Sequence, residues 1–171
     1  MRAEAMKSFV IGLIVAGAIA TQAENLLPDS KISKDNGWSV WCSKPVKAAG
    51  GDISFSDGAI SVKSPTLEKQ DVNNIQLIRG IDLENGKAYS LKFKAKADKP
   101  GKVSIAYILK KSPYTKYAVA EIDLEAGEKS YDCTLNVKGV KSGEPETLRI
   151  LFGALKDVSV TVSEMTIEPA N

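Results

Sequence analysis

The segment 73–97 constrains the fold most tightly, because it contains two strand-like runs on either side of a sequence that favours a tight turn. The turn is Glu84-Asn85-Gly86-Lys87, where Asn-Gly readily adopts the positive φ angles of a short connection between antiparallel strands. In the second run Tyr89, Leu91 and Phe93 alternate with serine and lysine, and the alternation continues to Ala97. A period of two places one face in a core and the other in water. The segment therefore predicts a β-hairpin with a lysine-rich outer face.

The rest of the chain after residue 23 repeats this pattern and shows no sustained helical periodicity. Short alternating or apolar runs are separated by glycine, aspartate, asparagine and proline, which is typical of an all-β sandwich or barrel. The predicted strands are 37–43, 52–56, 59–64, 73–79, 87–97, 102–110, 116–123, 129–137, 147–153 and 157–168. About ten strands suit a two-sheet antiparallel β-sandwich of the jelly-roll kind.

Residues 1–23 are interpreted as a secretory signal peptide. Arg2 and Lys7 precede the apolar run 9–19, which is too short to span a bilayer and is followed by small residues. We predict cleavage after Ala23, with Ala20 as second choice, and Met1 and Met6 both remain open as translation starts. An uncleaved N-terminal anchor is the alternative. We therefore expect a secreted or periplasmic protein whose single domain, residues 24–171, has no membrane contact after cleavage.

The overall charge argues against nucleic acid as a partner. The chain has 23 basic and 21 acidic residues, a formal net charge of +2, with the lysines spread along the strands. A near-neutral balance gives no general attraction for nucleic acid or an anionic membrane. Histidine is absent from the sequence, so the commonest general base and the commonest zinc ligand are both missing.

Two cysteines, Cys42 and Cys133, follow the predicted signal peptide. An exported protein meets an oxidising compartment, so a disulfide between them is the first expectation. Such a bridge would close a loop of roughly 90 residues and stabilise the fold by about 4–5 kcal/mol. Two separate buried thiols are the alternative.

Several motifs resemble the family 4/9/22 type of carbohydrate-binding module, a jelly roll of the galactose-binding-like class. Most of them are turn and core positions, so they specify the fold better than the ligand. They are Asn25-Leu26-Leu27, Gly37-Trp38, Asp57-Gly58 before an apolar strand, Gln76, Gly86-Lys87-x-Tyr89, Phe93-x-Ala95-x-Ala97 and Leu151-Phe152-Gly153.

The resemblance implies a non-catalytic module that binds a polysaccharide or oligosaccharide, with a β-glycan chain as the expected ligand. A glutamine commonly lines the cleft of such modules, which implicates Gln76 together with its neighbour Asn74 and with Arg79 at the end of the same strand. Many relatives hold a structural calcium ion through a closing aspartate, where this chain has Ser163. Calcium at the remaining carboxylate, Glu164, stays open, and no other cofactor is expected.

Aromatic rings and polar side chains that face outward are the candidate ligand contacts. Trp41 has the opposite parity to Trp38 and should face water, and Arg149 has outward parity on its strand. Tyr107, Tyr114 and Tyr117 flank the loop 110–113 and are predicted to form an exposed cluster. For Tyr107, packing inside with its apolar strand neighbours is the alternative.

Two further functions remain open. The same fold serves protein–protein contact in surface or matrix proteins. Glu121 and Asp123 belong to a Glu-x-Asp-x-Glu run of the form found in some jelly-roll glycoside hydrolases. However, the motif Ile-Asp-Leu-Glu-x-Gly occurs both at 81–86 and at 122–127, so this run has a structural explanation as a strand that enters a turn.

Overall fold

The computed structural model describes residues 24–170, and the predicted signal peptide and Asn171 lie outside this range. Ten strands account for most of the described chain. They are β1 (Trp38–Cys42), β2 (Asp52–Ser56), β3 (Ala59–Ser64), β4 (Ile75–Gly80), β5 (Ala88–Ala97), β6 (Gly101–Leu109), β7 (Lys116–Leu124), β8 (Gly127–Asn136), β9 (Glu146–Leu151) and β10 (Val158–Pro169). All ten predicted strands are confirmed within a few residues.

The strands form two five-stranded sheets. The first sheet has the order β1-β4-β9-β6-β7, and the second has the order β2-β3-β10-β5-β8. Each pairing between these strands is antiparallel. The predicted two-sheet antiparallel β-sandwich is therefore confirmed.

Alternating side chains of both sheets fill the space between them. On β5, for example, Tyr89, Leu91 and Phe93 are buried, as their parity predicts. Ile105 and Leu148 contribute from the first sheet and are fully buried. Burial of apolar surface on this scale supplies the main driving force for folding.

The predicted hairpin around Asn85-Gly86 is wrong, although its two strands exist. β4 belongs to the first sheet and β5 to the second, so the connection crosses from one sheet to the other. Leu83, within this connection, is buried in the core, which holds the chain at the corner. Gly86 has the expected positive φ of 82°. Turn chemistry thus predicted the bend but not which sheet the second strand joins.

The repeated Ile-Asp-Leu-Glu-x-Gly motif occurs at two equivalent connections that cross from one sheet to the other. The second copy connects β7 in the first sheet to β8 in the second. In each corner a tyrosine hydroxyl accepts a hydrogen bond from the glutamate backbone N–H, Tyr89 from Glu84 and Tyr131 from Glu125, both at 2.8 Å. The repeat therefore encodes a tyrosine that anchors a sheet-to-sheet crossing.

Two short helices were not predicted. The helix α1 (Lys44–Ala48) follows β1, and a single 3-10 turn (Val72–Asn74) precedes β4. None of the helices within residues 24–170 has the length and apolar character needed to cross a bilayer.

The expected disulfide is also wrong, because the two cysteines lie at opposite edges of the sandwich. Cys42 ends β1, the edge strand that packs near β2, whereas Cys133 lies on β8, the edge strand that packs near β7. Both are free thiols that pack against the core. Burial raises the pKa of Cys42, and it raises the pKa of Cys133 to about 11. The inward parity was predicted correctly, and the two thiols are separate, as in the alternative, although each is only half-buried.

Candidate functional site

An open groove crosses the outer face of the first sheet. Strand register aligns outward side chains in rows, such as Trp41–Gln76–Leu151 and Ser39–Ile78–Arg149. The groove has a volume of about 640 Å3 and combines aromatic, amide, hydroxyl and basic side chains. Its lining residues are Ser39, Trp41, Asn73, Gln76, Ile78, Ile108, Lys110, Tyr114, Lys116, Thr147 and Arg149.

Trp41 forms one wall of the groove. Strand β1 alternates, so Trp38 is buried in the core while Trp41 has 47% of its surface exposed. A single exposed aromatic side chain is ordinary, but one that lines a groove beside oriented polar groups is typical of a binding site. The predicted outward position of Trp41 is confirmed.

Tyr114 forms the opposite wall. It lies in the loop between β6 and β7 and is 54% exposed. Its backbone φ of 56° is in the left-handed region, which a residue with a large side chain rarely adopts. The ring centroid lies 5.6 Å from the guanidinium carbon of Arg149. This contact fixes the ring over the floor of the groove.

The floor between these walls is a hydrogen-bonded set of side chains. Arg149 donates from Nη1 to Gln76 Oε1 at 3.0 Å and from Nε to Thr147 Oγ1 at 3.0 Å. Gln76 donates from Nε2 to the backbone oxygen of Asn73 at 2.7 Å. Partial burial is the main cause that lowers the pKa of Arg149, which still carries its charge at neutral pH. These bonds hold the polar groups in place before any ligand arrives.

Asn73, and not the predicted Asn74, faces the groove. The 3-10 turn is capped by Asp71, whose carboxylate accepts from the Asn73 backbone N–H at 2.8 Å. Asn74 instead uses its backbone, which accepts from the Ser43 N–H at 2.9 Å. A Cβ at Gly153 would collide with the Asp71 carbonyl oxygen, so glycine permits this close packing. The turn shifts the pattern by one residue, which strand parity does not reveal.

Two of the three predicted exposed tyrosines are buried. The Tyr107 hydroxyl donates to the Ile81 carbonyl at 3.1 Å and accepts from the Leu83 N–H at 3.0 Å, and burial raises its pKa to about 12. Tyr117 is 6% exposed and its hydroxyl donates to Glu144 Oε2 at 3.3 Å. The register between β6 and β7 shifts at Tyr107/Ile108, which turns Tyr117 inward. Only Tyr114 of the predicted cluster lines the groove.

Arg79 does not face the groove either. It has the parity of Leu77, so its side chain points between the sheets rather than outward with Gln76. Its guanidinium carbon lies 5.8 Å from the centroid of the Trp38 ring, and burial lowers its pKa. Arg79 therefore does not line the groove, and ligand binding by Arg79 stays a prediction without support from its position.

Several groove residues were not predicted as contacts, namely Ser39, Ile78, Ile108, Lys110, Lys116 and Thr147. Ser39 and Ile78 share the outward parity of Trp41 and Gln76, so the period-two pattern contains this signal. Lys110 was predicted only as part of the loop 110–113, and no prediction of a ligand contact concerned Lys116. Their approach to Arg149 depends on the pairing of β6 with β9, which joins segments far apart in sequence.

Glu164, the candidate calcium ligand, lies elsewhere. Its carboxylate pairs with Lys94 Nζ at 2.7 Å on the outer face of the second sheet. Asn25 Oδ1, an oxygen near the closing strand, already accepts from two backbone N–H groups, those of Leu27 and Ile167. No group of three His, Cys, Asp or Glu side chains suited to a metal occurs within residues 24–170. These residues do not fit a calcium site, and calcium binding stays a prediction.

The carboxylates of the hydrolase alternative lie outside the groove lining. Glu121 and Asp123 both face outward on the edge strand β7, and both approach Lys102 Nζ, at 3.1 and 3.7 Å. Glu121 shares a row with Trp41 but lies at the other edge of the sheet, four strand spacings or roughly 19 Å away.

Comparison with known proteins identifies the fold. The sequence matches no protein-family model and no curated protein. Among solved structures, a family 4 carbohydrate-binding module superposes with a TM-score of 0.63 at 21% identity, over 85% of this chain and 97% of that chain. The second N-terminal cellulose-binding domain of β-1,4-glucanase C from Cellulomonas fimi gives a TM-score of 0.68 at 16% identity, over 89% and 98%. A family 29 module complexed with cellulohexaose gives a TM-score of 0.51 at 15% identity, over 86% of this chain and 90% of that chain. The chain therefore has the fold of carbohydrate-binding modules, as the resemblance implied.

Proposed function

We propose that this chain is a non-catalytic module that binds polysaccharide chains, of the β-glycan type, in the groove on the first sheet. The observation that carries the proposal is the pair of exposed rings, Trp41 and Tyr114, on either side of an ordered polar floor. Carbohydrate-binding modules, one of them complexed with cellulohexaose, share the fold, which supports the ligand class.

Sugar binding requires two kinds of contact, and the groove supplies both. The C–H face of a pyranose ring is apolar and stacks on an aromatic side chain, whereas its hydroxyls need hydrogen-bond partners. Trp41 and Tyr114 provide the stacking surfaces. Gln76 and Arg149 provide amide and guanidinium groups that are already oriented by each other. Little side-chain freedom is lost when a ligand binds to such a floor.

The groove draws its lining from strands across the whole first sheet, which suits a polysaccharide chain as ligand. Its lining contains no carboxylate. Retaining hydrolysis needs two carboxyl groups about 5 Å apart beside the scissile bond. This arrangement therefore favours binding without chemistry.

The proposal includes export from the cytoplasm, because an exported protein can reach polysaccharides outside the cell. Its support is the pattern of residues 1–23, with a basic start, an apolar run and small residues before Glu24. Sequencing the N-terminus of the exported protein should give Glu24, or Thr21 for the second cleavage site. A mature chain that retains Met1 or Met6 would contradict export by cleavage.

Affinity electrophoresis against soluble β-glucans, xylan and mannan tests the binding proposal. We expect retardation by at least one glycan, lost in Trp41→Ala and kept in Thr161→Ala, a surface change on the second sheet. Absence of retardation by every glycan, with a specific protein captured instead, would favour the protein-interaction alternative. Release of reducing sugar that disappears in Glu121→Gln would favour the hydrolase.

A further inference from the structure

We propose that the groove selects an anionic polysaccharide, a glycan whose sugar rings carry carboxylate or sulfate groups; this inference rests on the proposed function. Three basic side chains line the groove, Lys110, Lys116 and Arg149, and no acidic side chain does. The whole sequence has a formal net charge of only +2. The lining of the groove therefore carries a local formal charge of +3, although the chain as a whole is close to neutral.

These three cations have no acidic partners. Within residues 24–170, none of them has a carboxylate oxygen within 4.0 Å. On the outer face of the second sheet, Lys94 pairs with Glu164 at 2.7 Å and Lys92 approaches Glu168 at 3.8 Å. Among the described residues Lys63 and Lys96 form no ion pair there, but they share a hollow with Asp52 and Asp98, whereas the groove on the first sheet has no acidic side chain in its lining. A cluster of unpaired cations with the same sign destabilises itself by repulsion, and an anionic ligand relieves that repulsion.

Two acidic residues close in sequence to groove residues, Asp71 and Glu144, already have other partners. Asp71 accepts from the backbone N–H and the side-chain amide of Asn73, at 2.8 and 3.0 Å. Glu144 accepts from the Tyr117 hydroxyl and lies 3.9 Å from Lys111. Neither is oriented to neutralise the lysines that line the groove.

The cations lie toward one end of the groove. Lys110 and Lys116 flank the loop that carries Tyr114, and Arg149 lies beneath the Tyr114 ring. At the other end, Trp41 is accompanied by Ser39 and Gln76, which are uncharged. A sugar stacked on Tyr114 would therefore place a carboxylate or sulfate among three cations. A sugar on Trp41 would be held mainly by stacking and by hydrogen bonds to uncharged groups such as Ser39 and Gln76.

Arg149 is suited to an anion because its orientation is fixed. Two of its nitrogens bind Gln76 and Thr147, and Nη2 has no protein partner among the described residues. Arginine recognises carboxylate and sulfate groups through its planar donors, and such charge-assisted hydrogen bonds are about twice as strong as neutral ones. A lysine ammonium also donates to neutral hydroxyls, so the experiment must separate charge from hydrogen bonding.

Calorimetry with matched oligosaccharides makes this separation. Hexa-β-1,4-mannuronate and β-1,4-mannohexaose have the same backbone and differ in a carboxylate or a hydroxymethyl group on each ring. We expect the acidic hexamer to bind at least about 10-fold more tightly at low salt, with this advantage falling steeply between about 50 and 500 mM salt. A sulfated β-glucan hexamer, compared with cellohexaose, reports whether sulfate replaces carboxylate as the preferred anion.

Two double variants localise the effect. Lys110→Gln with Lys116→Gln should lower the affinity for the acidic hexamer by about 10-fold or more. The same double variant should change the affinity for the neutral hexamer by less than about twofold. Lys63→Gln with Lys96→Gln removes the same charge from the outer face of the second sheet and should change neither. All four lysines are on the surface, so thermal unfolding midpoints should match wild type and confirm folding.

The outcomes distinguish this inference from the proposed function. If neutral hexamers bind as tightly as acidic and sulfated ones, and Trp41→Ala abolishes that binding, the inference fails while the proposed function stands. Equal weakening by both lysine pairs, or equal displacement by polyphosphate at the same charge concentration, would show non-selective polyanion binding and also overturn it. If no neutral, acidic or sulfated glycan binds, the proposed function itself fails.

Discussion

The outer faces of the two sheets have the same strand pattern and opposite characters. On the second sheet, Lys92, Lys94 and Lys96 alternate with buried residues, and a hollow of about 530 Å3 has serine, threonine, lysine and aspartate but no aromatic ring in its lining. A second hollow there is bordered by Phe93 and Tyr131, whose rings pack with the core rather than standing exposed. On the first sheet, Trp41 and Tyr114 rise from a polar floor. Alternation therefore determines which side chains face water, whereas the identity of those side chains determines which face can bind.

The two faces also differ in how firmly their polar groups are held. On the second sheet the polar contacts include exposed ion pairs such as Lys94–Glu164, which are typically worth about 0–1 kcal/mol. On the first sheet, the bonds from Arg149 to Gln76 and from Gln76 to Asn73 involve half-buried or buried groups. An ordered floor of this kind retains its geometry without ligand, which an exposed ion pair does not.

The largest expected effect comes from the groove wall. Trp41→Ala should reduce glycan affinity by about 30-fold or more, because aromatic anchors typically contribute about 2 kcal/mol or more to binding. Isothermal titration calorimetry checks the affinity. Trp41→Phe retains a stacking surface and should recover most of it. An unchanged affinity in Trp41→Ala would place the binding site elsewhere on the molecule.

A smaller effect is expected from the floor. Gln76→Ala removes the acceptor for Arg149 Nη1 and the donor to the Asn73 carbonyl, so affinity should fall about 10-fold. Thr161→Ala on the outer face of the second sheet is the matched polar truncation and should leave affinity unchanged. Similar losses from both variants in the same titration would remove the distinction between the two faces.

The pH dependence of stability should also distinguish the two sheets. Glu146, at the start of β9, is buried with Oε1 unpaired, and burial raises its pKa above the ordinary 4.5. Because the pKa of Glu146 is higher in the folded than in the unfolded state, protonation of its carboxyl stabilises the fold. This contribution to the free energy of unfolding is complete below pH 4.5 and is lost as the pH rises through the folded-state pKa. Glu146→Gln should therefore raise the thermal unfolding midpoint at about pH 7 and change it little near pH 4.

Asp157, beside β10, should give stability the opposite dependence on pH. Its hydrogen bond with Lys99 lowers the pKa of the carboxyl below 3.8, so the stability it contributes is present above that value and lost on further acidification. Asp157→Asn should lower the midpoint at neutral pH and have no effect in strong acid. The same pH trend in both variants would contradict these environments.

The smallest effect is expected from the cysteines, one in each sheet. Cys42→Ser with Cys133→Ser should lose far less than the 4–5 kcal/mol or so that removal of a disulfide closing this loop would cost. Chemical unfolding under oxidising and reducing conditions checks this. Wild-type stability that falls only with reductant would show a bridge that the positions of β1 and β8 do not allow.

The sequence predicts the strands well because period-two burial is a local property. The outward positions of Trp41 and Gln76 were also predicted correctly, since each needed only the parity of its own strand. Three features depended on information that is not local. The turn at Asn85-Gly86 does not specify which sheet β5 joins, a bulge reverses Tyr117, and a 3-10 turn exchanges Asn74 for Asn73. The contact between Gln76 and Arg149 joins residues 73 positions apart and follows only from the pairing of β4 with β9.

The central claim is that glycan binds to the outer face of the first sheet, and the two tryptophans test it most directly. Trp38 is buried and Trp41 is exposed in the groove, so a 15N-resolved NMR spectrum gives one indole N–H signal inside the core and one at the site. Titration with the tightest-binding oligosaccharide should shift the Trp41 indole and the Tyr114 and Arg149 amides in a saturable way. The Trp38 indole and the amides of Lys94 and Thr161 should remain in place. A saturable shift at Lys94 and Thr161, with the Trp41 indole unmoved, would contradict the claim.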